Sequence, residues 1–208
     1  MERQLSEKSQ EIERLQEQRE GIQQELSAVR RHRRLLFETG HQLEQAVLEA
    51  LGLLGFDAQP FAEGTSEFDA VFCCDEGRFL GEVEGKDKGA IAVGKLDQLD
   101  RNIREDFERD EVDEYARGVL FGNASRLTPP EERDQDFTDK CIEAARRSGA
   151  ALVRTPDLFP IVRYLLSHED PEFARQCREC ILGTSGEVVV FPDVPESETD
   201  AVGEGETQ

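Results

Sequence analysis

One short stretch of the sequence, 81–88, carries a charged side chain at every second position. It reads Gly-Glu-Val-Glu-Gly-Lys-Asp-Lys. On a β-strand, alternate side chains share a face and follow one another at about 6.6 Å. One side of such a strand would therefore present Glu82, Glu84, Lys86 and Lys88. A further acid, Asp69, lies on the preceding β-prone segment, and a short turn between the two segments predicts a hairpin that brings Asp69 beside Glu84.

These residue types suit metal-assisted cleavage of a phosphodiester. Mg²⁺ prefers oxygen ligands and often takes only one or two carboxylates, which Asp69 and Glu84 can supply. A bound cation polarises the scissile phosphate and lowers the pKa of a bound water. Lys86 lies two residues after Glu84 on the same face, where an ammonium could orient that water and offset charge in the transition state.

Asp69 followed by a hairpin and by Glu84-x-Lys86 resembles the PD-(D/E)xK motif of the restriction-endonuclease-like nuclease superfamily. The segment Gly-His-Gln-Leu-Glu at 40–44 resembles the Gly-x-x-x-Glu that often opens the first helix of that fold. The resemblance covers about residues 37–168 and implies a nuclease that uses Mg²⁺ or Mn²⁺. Its catalytic residues would be Asp69, Glu84, Lys86 and Glu44, with Asp69, Glu84 and Glu44 at the metal.

The sequence departs from the motif in one place and leaves several residues open. Phe68, not proline, precedes Asp69. Glu82 could be an extra metal ligand or could pair with Lys88. Weaker resemblances on the next helix are Lys95 and Gln98. The alternating charges could also belong to a solvated edge strand, and Glu44 could be an ordinary exposed helix residue.

The order of helical and β-prone segments predicts an α/β domain with a mixed sheet. The resemblance implies a restriction-endonuclease-like mixed central sheet flanked by helices over 37–168. Helices are predicted at 40–54, 94–109, 138–148 and 158–166, and strands at 56–61, 68–74, 79–86, 117–123 and 150–154. Residues 169–191 are expected to add a helix (172–181) and a short strand (187–191). The tail, 192–208, is rich in acids, Pro, Gly and Ser, and its composition predicts disorder.

Residues 1–36 are expected to form a coiled-coil helix before the domain. With Leu5 at heptad position a, the apolar residues at positions a and d are Leu5, Ile12, Leu15, Ile22, Leu26, Val29 and Leu36. The charged residues that weaken the seam are Lys8, Arg19 and Arg33. The functional interpretation is a homodimer through residues 1–36. The alternative is a helix that packs on its own domain or frays. The basic run at 30–34 suits either phosphate or a helix C-terminus.

The composition limits which binding partners and which cellular compartment are expected for the protein. The formal net charge of −21 opposes nucleic-acid binding, but residues 1–36 hold 8 basic and 7 acidic residues. No apolar run approaches the roughly 20 residues that span a bilayer, and no secretory signal is expected. A cytoplasmic protein without a membrane partner is therefore predicted. Cys177-x-x-Cys180 is interpreted as two thiols on one helix rather than a zinc site, and the isolated His32 and His41 are expected on the surface.

These observations favour a metal-dependent nuclease that acts on nucleic acid, with DNA preferred. The rival is a catalytically silent module that keeps the fold, senses DNA or binds a partner, and oligomerises through residues 1–36. The heptads and the acidity favour the rival, whereas the set of two acids and a lysine favours the nuclease. A third hypothesis is a regulatory coiled-coil scaffold with an unrelated α/β domain.

Overall fold

The computed structural model of the protein describes residues 2–63 and 66–196. Its helices are α1 (Glu2–His32), α2 (Arg34–Phe37), α3 (His41–Leu53), α4 (Gly94–Phe107), α5 (Asp139–Ser148), α6 (Thr155–Ser167) and α7 (Pro171–Gly183). Its strands are β1 (Asp57–Glu63), β2 (Ser66–Cys74), β3 (Gly77–Gly85), β4 (Arg117–Asn123) and β5 (Ala151–Arg154). Within the described residues, no helix is long and apolar enough to cross a bilayer.

The five strands form one mixed sheet in the order β1-β2-β3-β4-β5. The first three strands are antiparallel neighbours, as short turns allow, and β3, β4 and β5 run parallel through the crossover helices α4 and α5. This arrangement confirms the predicted α/β fold with a mixed sheet flanked by helices. Because β3 lies at the centre of the sheet, the alternative of a solvated edge strand at 81–88 is wrong.

Helices cover both faces of the sheet, and the alternation of side chains on β3 divides the core into two clusters. Phe79 and Val83 point into a cluster that is completed by α3, α6 and α7. Leu80, one residue out of phase, points into the other cluster, which α4 and α5 cover. Glu82 and Glu84 have the same parity as Leu80, so they lie on the α4 side of the sheet.

A register shift between β1 and β2 falls at Asp69. Gln59 pairs with Val71, but Phe61 pairs with Phe68, so two residues of β2 stand opposite one residue of β1. The single opposing residue is Pro60, which has no N–H to contribute to a ladder and is tolerated at such a bulge. The bulge interrupts the alternation of β2 at the position of the candidate acid.

Buried polar contacts fix α4 against the sheet. Asp106 near the end of α4 is fully buried and accepts hydrogen bonds from the guanidinium groups of Arg78, on β3, and Arg109. Asn102, one turn earlier, is also buried and reaches β3. A buried charge is tolerated when it is paired and hydrogen-bonded, so these contacts set the position of the whole helix relative to β3.

Side chains from the end of the sheet cap the carbonyls at the end of α2. The carbonyl oxygens of four consecutive residues, 35–38, accept bonds from Thr155, Arg133, Arg126 and Asn123 respectively. A helix leaves its last carbonyls without backbone partners, and these donors satisfy them. The junction between the N-terminal helix and the sheet is therefore held by side chains rather than by a free linker.

Three sequence-based expectations at the ends of the chain differ from the structure or lie outside it. His32 is buried, not on the surface, and its Nδ1 lies 3.8 Å from a carboxylate oxygen of Glu49. The segment 187–191 forms a single bridge, from Val188 to Leu152, because β5 is only four residues long and leads directly into α6. Residues 192–196 continue without helix or strand. The rest of the predicted disordered tail, 197–208, lies outside the described residues.

Candidate active site

Asp69 and the β3 strand are joined where the β2–β3 ladder ends. The last paired residues are Ala70 and Gly81. Beyond them, the Val83 backbone N–H donates to Oδ2 of Asp69 at 2.8 Å. The carboxylate thus takes the place that a backbone carbonyl would otherwise occupy. This contact fixes the Asp69 side chain against Val83 of β3, and the predicted position of Asp69 beside Glu84 stays a prediction.

Glu82 is the most deeply buried acid of this region. Its two carboxylate oxygens accept bonds from different residues of α4: Oε1 from Nδ2 of Asn102 at 2.6 Å, and Oε2 from Nζ of Lys95 at 3.1 Å. Burial, together with the neighbouring negative charge of Asp69, raises the pKa of Glu82 to about 7, while Lys95 opposes the shift. The alternative pairing of Glu82 with Lys88 is wrong, because its cation is Lys95.

Lys95 lies in the first turn of α4 and faces several carboxylates. In addition to its bond with Glu82, its Nζ lies 3.9 Å from Oε2 of Glu84. Burial lowers the pKa of Lys95, but the negative charges of Glu82, Asp69 and Glu84 outweigh burial and raise the pKa above its usual range. Lys95 is therefore the ammonium group at the centre of this acidic cluster.

Glu84 and Lys86 have different surroundings although they are two residues apart. Glu84 has a side chain that is 32% exposed and reaches Lys95. The Lys86 side chain donates from Nζ to the carbonyl oxygen of Ala90 at 3.0 Å. The Lys86 backbone is also bonded on both sides, to the Asn123 carbonyl oxygen and from the Arg126 N–H. In this structure Lys86 stabilises the loop that follows β3.

Glu44 approaches the cluster from the first turn of α3. Burial raises the pKa of Glu44, the negative charge of Asp69 raises it further, and His41 and Lys95 oppose the shift. The Nδ1 of His41 lies 3.6 Å from Oε2 of Glu44, and the His41 side chain is mostly exposed. Asp69 and Lys95 act on Glu44 electrostatically, and its place at a metal ion stays a prediction.

The described residues contain no group of three or more His, Cys, Asp and Glu side chains arranged to hold a metal ion. A set of three carboxylates around one cation therefore stays a prediction. The geometry offers instead one ammonium that contacts two acids, since Nζ of Lys95 lies 3.1 Å from Glu82 and 3.9 Å from Glu84. The negative charge of Asp69 acts on Glu82, Lys95 and Glu44. The sequence analysis left the role of Glu82 open and named Lys95 only as a weaker resemblance to the motif. The spacing that puts Lys95 and Asn102 on one helix face was nevertheless visible in the sequence.

Comparisons with known proteins yield little beyond this geometry. No protein-family model matches the chain, and no curated protein matches it. A search of solved structures finds the restriction endonuclease FokI with a TM-score of 0.46 and 12% sequence identity. The match covers 72% of this chain and 28% of the FokI chain, so this chain corresponds to less than a third of that protein's length.

Proposed function

We propose that the protein is a metal-dependent nuclease with a restriction-endonuclease-like fold that hydrolyses phosphodiester bonds, with DNA as the expected substrate. The observation that carries the proposal is that Glu82 and Glu84 of β3 both meet Lys95, while Asp69 of β2 accepts a hydrogen bond from Val83, the residue between them. Two acids from neighbouring strands and an amine are the side chains that the predicted chemistry requires.

The charges of the cluster fit a divalent cation. Glu82 and Glu84 share one ammonium, and the raised pKa of Glu82 and of Glu44 reflects burial together with the negative charge of Asp69. Asp69 and Glu84 would hold Mg²⁺ or Mn²⁺, with Glu44 as an auxiliary acid, since magnesium often uses only one or two carboxylates. When bound, such a cation would polarise the phosphate and lower the pKa of a water molecule.

The protein's own residues would prepare the site for this chemistry. The Val83 N–H fixes the Asp69 carboxylate, and Asn102 fixes Glu82, so neither acid has to reorient when a substrate arrives. Glu84 is partly exposed and can meet a phosphate and its counter-ion. Lys86, on the motif, is the sequence-based choice for the group that orients the attacking water.

A homodimer through α1 is part of the proposal. The large apolar side chains that remain more than half exposed on α1 are Ile12, Leu15, Ile22 and Leu26. They occupy heptad positions a and d, so one partner of the same sequence would cover them along one seam. The segment 35–38, which follows this helix, is hydrogen-bonded to side chains of the domain. Such a dimer would therefore contain two candidate sites, as cleavage of both strands of a duplex requires.

A substrate survey with purified full-length protein tests the proposed function. Supercoiled plasmid, single-stranded DNA and RNA are each incubated with Mg²⁺, with Mn²⁺, and with a chelator in place of the metal. We expect cleavage of DNA that needs the metal and is lost in Asp69→Ala. The matched control is Glu105→Ala, which removes an exposed acid of α4 outside the cluster. Cleavage that survives in Asp69→Ala, or that continues in chelator, would reject the proposal.

The second candidate function is a catalytically silent module that oligomerises through α1 and binds a partner. The same exposed apolar seam favours it, as does the net charge of −21, which weakens attraction to a phosphate backbone. This candidate predicts a stable dimer without metal-dependent cleavage of any of the three substrates. The survey therefore separates the two functions directly.

A further inference from the structure

The lysine of the sequence motif is not the lysine that faces the acids. Lys86 directs its Nζ to the carbonyl oxygen of Ala90, in the loop after β3. Its backbone amide and carbonyl are bonded to Asn123 and Arg126, which fixes the backbone from which the side chain projects. The motif position is thus occupied by a residue with a structural contact of its own.

Lys95 occupies the position that the motif lysine was expected to fill. Its Nζ lies 3.1 Å from a carboxylate oxygen of Glu82 and 3.9 Å from one of Glu84, and its side chain is 26% exposed. The group is therefore partly accessible from solvent while it touches both acids of β3. An ammonium in this place can reach a phosphate that approaches the exposed side of Glu84.

Helix α4 holds Lys95 in a defined geometry. Asn102 is seven residues further along, which is close to two helical turns, so both side chains project from one face of the helix. Between them they bond both oxygens of Glu82. Asp106, one turn after Asn102, anchors the helix through Arg78 of β3. Glu82 thus stays with Asn102 even when Lys95 moves away.

We propose that Lys95, and not Lys86, is the functional lysine of the site, and that its ammonium offsets the charge of Glu84 until a divalent cation binds beside this acid. The proposal rests on the nuclease function proposed above. If Asp69 and Glu84 held a divalent cation, the Lys95 ammonium would move away from Glu84, because two positive charges at this distance repel each other. The displaced amine then lies at the exposed side, where it can hold the substrate phosphate or the attacking water.

The test compares lysine variants of the full chain by two independent measurements. Calorimetric titration with Mn²⁺ reports the cation affinity in the absence of substrate, and plasmid nicking reports activity. The variants are Lys95→Met, Lys95→Arg and Lys86→Met, with Lys140→Met as the control for loss of an exposed lysine on α5. Lys95→Arg keeps the positive charge and serves as the conservative variant if Lys95→Met folds poorly.

The proposal predicts opposite changes in the two measurements for one variant. Lys95→Met should bind Mn²⁺ roughly tenfold more tightly, because a nearby like charge is removed, and should cleave at least about 100-fold more slowly. Lys95→Arg should keep the weaker affinity of the wild type. Lys140→Met should match the wild type in both measurements, and Lys86→Met should keep the Mn²⁺ affinity of the wild type. Tighter Mn²⁺ binding would show that the acids of Lys95→Met remain in place, so the slower cleavage would not be a consequence of lost folding.

The results also separate this proposal from the nuclease function. If the wild type cleaves no substrate but Lys95→Met binds Mn²⁺ more tightly than the wild type, the nuclease function fails and the role of Lys95 stands. If the wild type cleaves and Lys86→Met, rather than Lys95→Met, loses activity, the role of Lys95 is overturned and the nuclease function stands. Equal Mn²⁺ affinity in the wild type and Lys95→Met also overturns it.

Discussion

The Asp69 carboxylate accepts the backbone N–H of Val83 across the β2–β3 boundary at 2.8 Å. The bond lies at a bulge that Pro60 creates on the neighbouring strand, so the carboxylate, rather than the next carbonyl of β2, meets β3. A structural hydrogen bond and a candidate catalytic group are thus combined in one side chain. Its two roles can be separated by substitutions that keep or remove the acceptor oxygen.

Asp69→Asn keeps an oxygen that can accept the Val83 N–H, whereas Asp69→Ala leaves that N–H without its partner. We expect Asp69→Ala to lower the free energy of unfolding by about 1–3 kcal/mol. Asp69→Asn should cost less, because it also removes the negative charge that repels Glu82. Urea denaturation of both variants measures the difference. Equal destabilisation of the two variants would show that the hydrogen bond contributes nothing.

Glu82 should make the stability of the protein depend on pH. Its pKa is raised from 4.5 to about 7, chiefly by burial, so the folded state holds this proton more tightly than the unfolded state. The contribution of the group to stability is complete below pH 4.5 and is lost as the pH rises through about 7. Glu82→Gln should remove this decline.

Urea denaturation between pH 4.5 and 7.5 measures the effect of Glu82. The difference in free energy of unfolding between Glu82→Gln and the wild type should shift in favour of the variant as the pH rises. Glu105→Gln, at an exposed position of helix α4, is the control and should show no such trend. A difference for Glu82→Gln that does not vary with pH would contradict the assignment.

Gly85 ends β3 next to the segment that precedes α3, and the approach leaves no room for a side chain. A Cβ at this position would lie 2.7 Å from Cβ of Thr39 and 2.8 Å from the carbonyl oxygen of Glu38. We expect Gly85→Ala to destabilise the protein by about 1–3 kcal/mol through overpacking. Thermal or urea unfolding gives the value.

The control for Gly85→Ala is Gly52→Ala, inside α3, where an added Cβ meets nothing within 4 Å. Replacing a helical glycine by alanine in open space should stabilise the protein by about 0.5–1 kcal/mol. Opposite signs at the two glycines would support the packing at the end of β3. A neutral Gly85→Ala would show that the contact between β3 and Thr39 is looser than the structure has it.

The apolar seam of α1 should control the oligomeric state. We expect a dimer for the wild type and a monomer for Leu15→Asp combined with Ile22→Asp, because charged side chains at two d positions disrupt the seam. Gln10→Asp adds a charge at position f, outside the seam, and should stay dimeric. Analytical ultracentrifugation distinguishes these outcomes. A monomeric wild type, or a dimer that persists in the double variant, would remove α1 as the interface.

The parts of the fold that depend on local patterns were predictable from the sequence. Alternation on 81–88 and the turn before it predicted the hairpin, and strand parity placed Glu82 and Glu84 on one face. Which of the two acids would be buried depends on where α4 crosses the sheet, and this is a tertiary contact. Parity alone could therefore not assign Glu82 its partners, Lys95 and Asn102.

The parts that depend on packing between distant segments were not predictable. His32 was expected at the surface, but the junction between α1 and α2 packs against α3 and buries it beside Glu49. The direction of the Lys86 side chain depends on the loop that ends at Ala90. One signal in the sequence could have predicted the bulge. Pro60 has no N–H to donate to a ladder, and it lies opposite Asp69 in the bulged part of β2.

The most direct test of the central claim is the initial rate of plasmid nicking under Mn²⁺ by the wild type, Asp69→Asn and Glu105→Gln. Asp69→Asn keeps the hydrogen-bond acceptor for Val83 and removes only the charge, so it should stay folded while its rate falls at least about 100-fold. Glu105→Gln should cleave at the wild-type rate. A folded Asp69→Asn that nicks plasmid as fast as the wild type would contradict the proposed metal-dependent nuclease.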